Sequence, residues 1–217
     1  MAEAKSKLRI DIVSDVMCPW CVIGYRQLAT ALEECEVEYD IHWHPFELNP
    51  NMPPEGQDIG EHLAKKYGTT PEQSAANRAM MTAQGKDLGF DFNFSDGFRM
   101  HNTFHTHQLL HWANELGRKH DLKQALFTAH FTHGRNLSDD SVLVEIAGEI
   151  GLDRDEAKAV LAEQRFANSV RQEQKFWTQQ GISGVPAVVF DRQHLVTGAQ
   201  GVDNFKNILD LLQQKNA

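Results

Sequence analysis

The run Cys18-Pro19-Trp20-Cys21 holds the side chains of this chain best suited to covalent chemistry. Two thiols separated by two residues close a small disulfide ring readily when the first stands at a helix start. There, unpaired backbone N–H groups and the helix dipole favour a thiolate and lower the pKa of the first cysteine. Pro19 suits the first helical turn, because its missing N–H would have been unpaired anyway. Cys21, one turn further in and less exposed, is placed to resolve a mixed disulfide formed at Cys18. Trp20 would shield the ring and offer a flat apolar surface to a partner, with plain core packing as its duller explanation.

Zinc is the competing use of such a pair. A structural zinc site normally takes four ligands, yet the chain has no second CxxC and Cys35 stands alone. His101 and His105, like His107 and His111, lie at i, i+4 on one predicted helix. The two pairs point in different directions and do not converge, and HExxH is absent. No metal site is expected. Three cysteines are also too few for a disulfide framework. Cys35 reads as a small buried hydrophobe, a regulatory or intermolecular disulfide being the alternative.

Composition narrows the partners. Of 217 residues, 41% are hydrophobic and 24% charged, which is ordinary for a globular protein. The net charge of −9 repels phosphate backbones and gives no pull towards an anionic bilayer. Nucleic acid and membrane are therefore excluded as expected partners. No apolar run is long enough to span a bilayer, and the N-terminus lacks an apolar signal core, so a cytoplasmic place is expected.

Elements that would position the cysteines follow from periodicity. Leu8 to Ser14 alternates and is β-branched, a strand. Tyr25, Leu28, Ala29 and Leu32 recur at helical spacing after Cys18, and Val37 to Phe46 returns to period two. Asn49 to Gly56 reads as a loop, and from about Ile59 to Phe166 the pattern is helical. Thr70-Pro71-Glu72-Gln73 is a capping box opening a helix. Further helices are expected over Asn102–Arg118, Leu122–His133, Ser138–Ile150, Asp153–Gln164 and Asn168–Gln180. Then come Val185-Pro186, strands Ala187–Phe190 and His194–Thr197, and a last helix carrying Val202, Phe205, Ile208, Leu209 and Leu212. The fold class is α/β: β–α–β at the start and α–β–β–α at the end, enclosing a large helical insertion.

In its motifs the chain resembles the DsbA-like branch of the thioredoxin superfamily, in particular FrnE-like proteins related to 2-hydroxychromene-2-carboxylate isomerases. The likeness runs from about Leu8 to Leu212. It is carried by Ser14-Asp15-Val16-Met17-Cys18-Pro19-Trp20-Cys21 with Gly24, Trp43-His44-Pro45-Phe46-Glu47-Leu48-Asn49-Pro50, Asn102-Thr103 with His107, Phe131-Thr132-His133-Gly134-Arg135 and Gly184-Val185-Pro186. It implies a thioredoxin-like domain from 1–56 and 167–217, interrupted by an all-helical domain over 57–166 that covers the active-site face. It also implies a cis Val185–Pro186 bond facing the CxxC pair, with the Val185 backbone presented to an extended substrate. Asn102 and His107 could line the cleft between the two parts, although capping and helix packing would explain them as well.

The implied activity is thiol–disulfide exchange on protein or small-molecule disulfides. No cofactor is required, with glutathione as a possible redox partner or co-substrate. Isomerases of this family work with glutathione and lack a resolving cysteine, so keeping both Cys18 and Cys21 favours exchange. A glutathione-dependent isomerase or transferase, and a redox-switched, chaperone-like binding module, are the alternatives. Direction of exchange, physiological substrate, electron donor or acceptor, and monomer against homodimer stay open at this stage.

Overall fold

The computed structural model describes residues 7–53, 55–95 and 97–215. A four-stranded sheet is assembled from both ends of the chain in the order β2-β1-β5-β6. Its strands are β1 (Leu8–Ser14), β2 (Tyr39–Pro45), β5 (Ala187–Phe190) and β6 (His194–Thr197). β1 runs parallel to β2 and antiparallel to β5, with Val13 opposite both His44 and Ala187. That register sets Pro186 beside the end of β1, where the CxxC run begins.

Period-two alternation decides what each face of the sheet meets. Ile10, Ile12, Trp43, Val188 and Phe190 belong to the main core, together with Ile23 and Leu28 of α1 (Pro19–Glu34) and Phe205 and Leu209 of α9 (Val202–Lys215). The opposite face gathers Val13, Ala187 and Val189 under Trp177 of α8 (Ala167–Gln179) and Ile182. A mixed sheet buried on two faces explains why β1 and β5 are almost wholly buried.

Between β2 and α8 the chain forms α2 (Ile59–Tyr67), α3 (Pro71–Asp87), α4 (Phe104–Glu115), α5 (Lys119–Phe131), α6 (Asp140–Glu149) and α7 (Arg154–Ala162). The expected box opens α3: Gln73 N–H donates to Thr70 Oγ1 at 3.2 Å, and Thr70 N–H to Gln73 Oε1 at 3.0 Å. Asp139 and Asp153 cap α6 and α7 through their side chains. The segment is not wholly helical. Gln57–Asp58 (β3) and Arg99–Met100 (β4) pair antiparallel as a second, two-stranded sheet. Its hydrophobic residues join the main core, so Leu122, Leu126, Leu143 and Val160 are continuous with Ile10 and Ile12.

Candidate active site

Cys18 is the N-cap of α1, with extended backbone (φ −97°, ψ 109°), and Pro19 occupies the first turn. Cys18 N–H donates to Asp15 O at 3.2 Å, and Cys21 N–H donates to Cys18 O at 3.0 Å, closing the turn that carries both thiols. The cysteines are not bonded to each other. They are 4% and 1% exposed respectively, so even the outer sulfur is largely covered. The Val185–Pro186 peptide is cis, and the Cys18 thiol donates to Val185 O at 3.5 Å. Pro19, Trp20 and Val185 are half-buried around the mouth, while Pro186 is buried. Gly24 makes the approach possible: a Cβ there would lie 3.1 Å from Pro186 Cγ and 3.5 Å from Ala199 Cα.

A buried carboxylate lies directly beneath the pair. Asp15 is 1% exposed. Its Oδ2 accepts from Leu48 N–H at 2.8 Å, and its Oδ1 from Met17 N–H at 3.4 Å. His107 Nε2 stands 3.5 Å from Oδ1. Burial opposes the Asp15 charge, but the His107 ring and the Leu48 N–H outweigh it and hold the carboxyl below its usual range.

Lys123, from α5, is also inside, 1% exposed. Its Nζ stands 5.4 Å from the Trp43 ring centroid and 4.9 Å from that of Phe127, two cation–π contacts that partly replace water. Burial pulls its pKa down to about 8 against the attraction of Cys21 and Asp15.

These neighbours decide how the thiols share their protons. The hydrogen bond to Cys21 and burial push the Cys18 thiol well above the usual value, with Asp15 adding to it. Burial works against the Cys21 thiolate too. There the Cys18 thiol and the Lys123 charge prevail and bring it below the usual value. The two thiols titrate together, so the low and high titrations belong to the pair. The helix-start argument assigned the lowered pKa to Cys18. The structure adds what that argument leaves out: the neighbouring thiol, the buried Lys123 cation and the Asp15 carboxylate also act on the pair.

Two expected cleft residues stand elsewhere. His107 is 2% exposed, with Nε2 2.9 Å from Phe46 O and close to Asp15. It supports the site from beneath and lines no open cleft. Asn102 accepts from Phe104 N–H at 2.9 Å and donates to Pro50 O at 3.3 Å. It turns the chain just ahead of α4, whose N-cap is Thr103, the turn-forming role its residue type suits. Cys35 is half-buried at the end of α1. Among the described residues no three His, Cys, Asp or Glu side chains cluster to hold a metal, and no helix is long and apolar enough to cross a membrane.

Asp15 stood in the motif without a role, and Lys123 was missed altogether. A signal for Lys123 did exist: it falls on the stripe Leu122, Leu126, Phe127, where a lysine interrupts an otherwise apolar face.

Comparison with known proteins matches this arrangement over nearly the whole chain. A probable DsbA oxidoreductase from Streptomyces coelicolor shares 35% identity and superposes with a TM-score of 0.86, covering 93% of this chain and 88% of that one. The cytosolic disulfide reductase DsbM from Pseudomonas aeruginosa, solved with glutathione, shares 18% identity at a TM-score of 0.64, covering 95% of this chain and 99% of that one. A 2-hydroxychromene-2-carboxylate isomerase shares 11% at a TM-score of 0.71, covering 96% and 97%. The last two likenesses, at such identities, are likenesses of fold. The model of the DsbA-like thioredoxin domain matches residues 9–210, and the chain belongs to that family.

Proposed function

We propose that this protein is a thiol–disulfide oxidoreductase acting through Cys18 and Cys21, with glutathione as its redox partner. The observation that carries the reading is the contact between the Cys18 thiol and Val185 O beside the cis proline, with Cys21 in the same turn, its N–H donating to Cys18 O. Val185 then offers its backbone to a substrate chain at the sulfur that is attacked. In the direction that reduces a substrate disulfide, a Cys18 thiolate attacks one of its sulfurs and the other leaves as a thiolate. Cys21 next attacks Cys18 Sγ, the second substrate thiol leaves, and the Cys18–Cys21 disulfide remains. Oxidation of substrate thiols, with the Cys18–Cys21 disulfide reduced to the dithiol, is the reverse.

Lys123 favours charge on Cys21, the group that must become the inner nucleophile. Both sulfurs lie deep enough that a small or extended disulfide reaches them more easily than a folded surface would. Glutathione fits that access, and the glutathione-bound DsbM fold supports it. A pool of that thiol in turn supports a reducing, cytosolic setting. The two-part organisation, 1–56 with 167–217 around 57–166, stays part of this proposal.

Cys21→Ser tests the reading. With oxidised glutathione this variant accumulates a mixed disulfide at Cys18 and loses turnover, while Cys18→Ser does not react. Turnover unchanged in Cys21→Ser would refute it.

A further inference from the structure

An open groove of about 700 Å³ runs beside α8, over the sheet face covered by Val13, Ala187 and Val189. It reaches Arg9 at the start of β1, and Arg192 and Leu195 at the turn between β5 and β6. Arg9 lies roughly 16 Å along β1 from Ser14, the end that leads to Cys18. Cys18, Trp20, Val185 and Pro186 take no part in lining the groove. A volume of this size suits a small organic molecule.

Its middle is apolar. Phe176 of α8 is 52% exposed and Leu195 of β6 is 48% exposed. Two elements thus each leave a large apolar side chain open to one space, above buried Ile182 and Val189. Trp177 also lines the groove and is 8% exposed, yet its indole N–H has no partner. A buried donor left unpaired is costly, and an oxygen of a bound molecule is the kind of group that satisfies it.

Most ionisable groups here satisfy one another. Asp11 accepts from Arg9 at 2.9 and 2.7 Å. His44 lies 2.8 Å from Asp11 and 2.6 Å from Glu173, and His111 3.8 Å from the other Glu173 oxygen. Asp191 Oδ1 accepts from Arg9 N–H at 3.1 Å. Arg192 is left over: it is exposed, and among the described residues its side chain has no hydrogen bond and no ion pair.

The backbone holds Arg192 there against its own preference. Asp191 and Arg192 have φ of 48° and 57°, and Gln193 N–H donates to Phe190 O at 2.9 Å. A hairpin turn with two positive φ values ordinarily carries glycine second, after Asn or Asp. An arginine in that place bears a left-handed strain that glycine avoids.

We propose that this groove binds a small aromatic carboxylate, its ring against Phe176 and Leu195 and its carboxylate on Arg192. The guanidinium offers two parallel N–H donors that match a carboxylate. The ring leaves water against a phenyl face and an aliphatic side chain. Binding is non-covalent and leaves the mouth at Val185 open, so the ligand does not compete for Cys18.

Equilibrium dialysis with 6-hydroxy-2-naphthoate tests the site, with 2-naphthol as the same ring system lacking the carboxylate. Wild type and Cys18→Ser bind the naphthoate alike, about tenfold tighter than the naphthol, as one charge-assisted contact provides. Arg192→Gln brings the naphthoate down to the naphthol level and leaves the naphthol unchanged. Arg192→Gly does the same and unfolds at a higher temperature, because glycine suits that φ. Phe176→Ala weakens both probes by about threefold or more. No binding at millimolar naphthoate would overturn the proposal, as would full affinity in Arg192→Gln. Binding lost in Cys18→Ser would overturn it too, by placing the ligand at the thiols. None of these results bears on whether Cys18 and Cys21 exchange disulfides.

Discussion

Replacing Lys123 by methionine should make the folded protein more stable and its dithiol less reactive. Lys123 titrates at about 8 in the fold, against 10.5 for an ordinary lysine. The unfolded chain therefore binds this proton more tightly. Burying the charged amine costs roughly 3 kcal/mol below pH 8, and the cost fades as pH rises from 8 to 10.5. Methionine keeps much of the length and apolar contact and removes that cost. It also loses the contacts of Nζ with Trp43 and Phe127, worth about 1 kcal/mol or somewhat more together. Asp15 is not orphaned, because His107 and the Leu48 N–H hold its charge ahead of Lys123. The net expectation is a gain of about 1–2 kcal/mol at pH 7.

Urea unfolding of both reduced proteins at pH 7 and pH 10 measures this directly. The advantage of the variant should be present at pH 7 and shrink or reverse at pH 10. Thiolate absorbance against pH should show the low titration of the pair moving upward, since Lys123 is one of the groups favouring charge on Cys21. A variant that is less stable at pH 7, with the thiolate titration unmoved, would refute the account: Lys123 would then be a structural contact and no electrostatic partner of the dithiol.

Gly24→Ala should leave thermal stability nearly unchanged but slow exchange with oxidised glutathione, because the new Cβ meets the Pro186 ring at 3.1 Å and pushes the Val185 loop from Cys18; unchanged exchange would show that this approach is not needed. His130 is fully buried and held at a pKa of about 3, chiefly by burial. Its unfolded form gains a proton first, so stability should fall by as much as about 4 kcal/mol as pH drops from 6.5 to 3. His130→Leu should flatten that part of the acid-unfolding curve. Asp15→Asn should cost about 1–3 kcal/mol in urea unfolding, since an amide cannot accept from the Leu48 and Met17 N–H groups as a carboxylate does. It should also make the Cys18 thiol more acidic, because the Asp15 charge opposes the thiolate there; alkylation rate against pH reads that shift.

Where the chemistry sits was readable because its signals are local. Alternation in Leu8–Ser14 and the run Ala187–Phe190 mark strands whose bounds the structure repeats. Thr70 with Gln73 marks a helix start that hydrogen bonding realises. The spacing of Cys18 and Cys21, with Pro19 between them, places both thiols on the first turn of a helix. β3 and β4 were invisible, as two residues apiece carry no period and they pair only because tertiary packing brings them together. His107 was read as a cleft residue because its neighbours in sequence do not reveal the Phe46 carbonyl and the Asp15 carboxylate that enclose it. The groups that tune the thiols were out of view for the same reason. A helix-dipole argument sees only the backbone around Cys18, whereas Asp15 after β1 and Lys123 on α5 also act on the pair. A buried charge acts over several ångströms in a medium that screens it poorly. A thiol's acidity is thus set by every element packed against it. The position of a CxxC pair is a local property of the chain; which of its sulfurs carries the charge is a property of the fold.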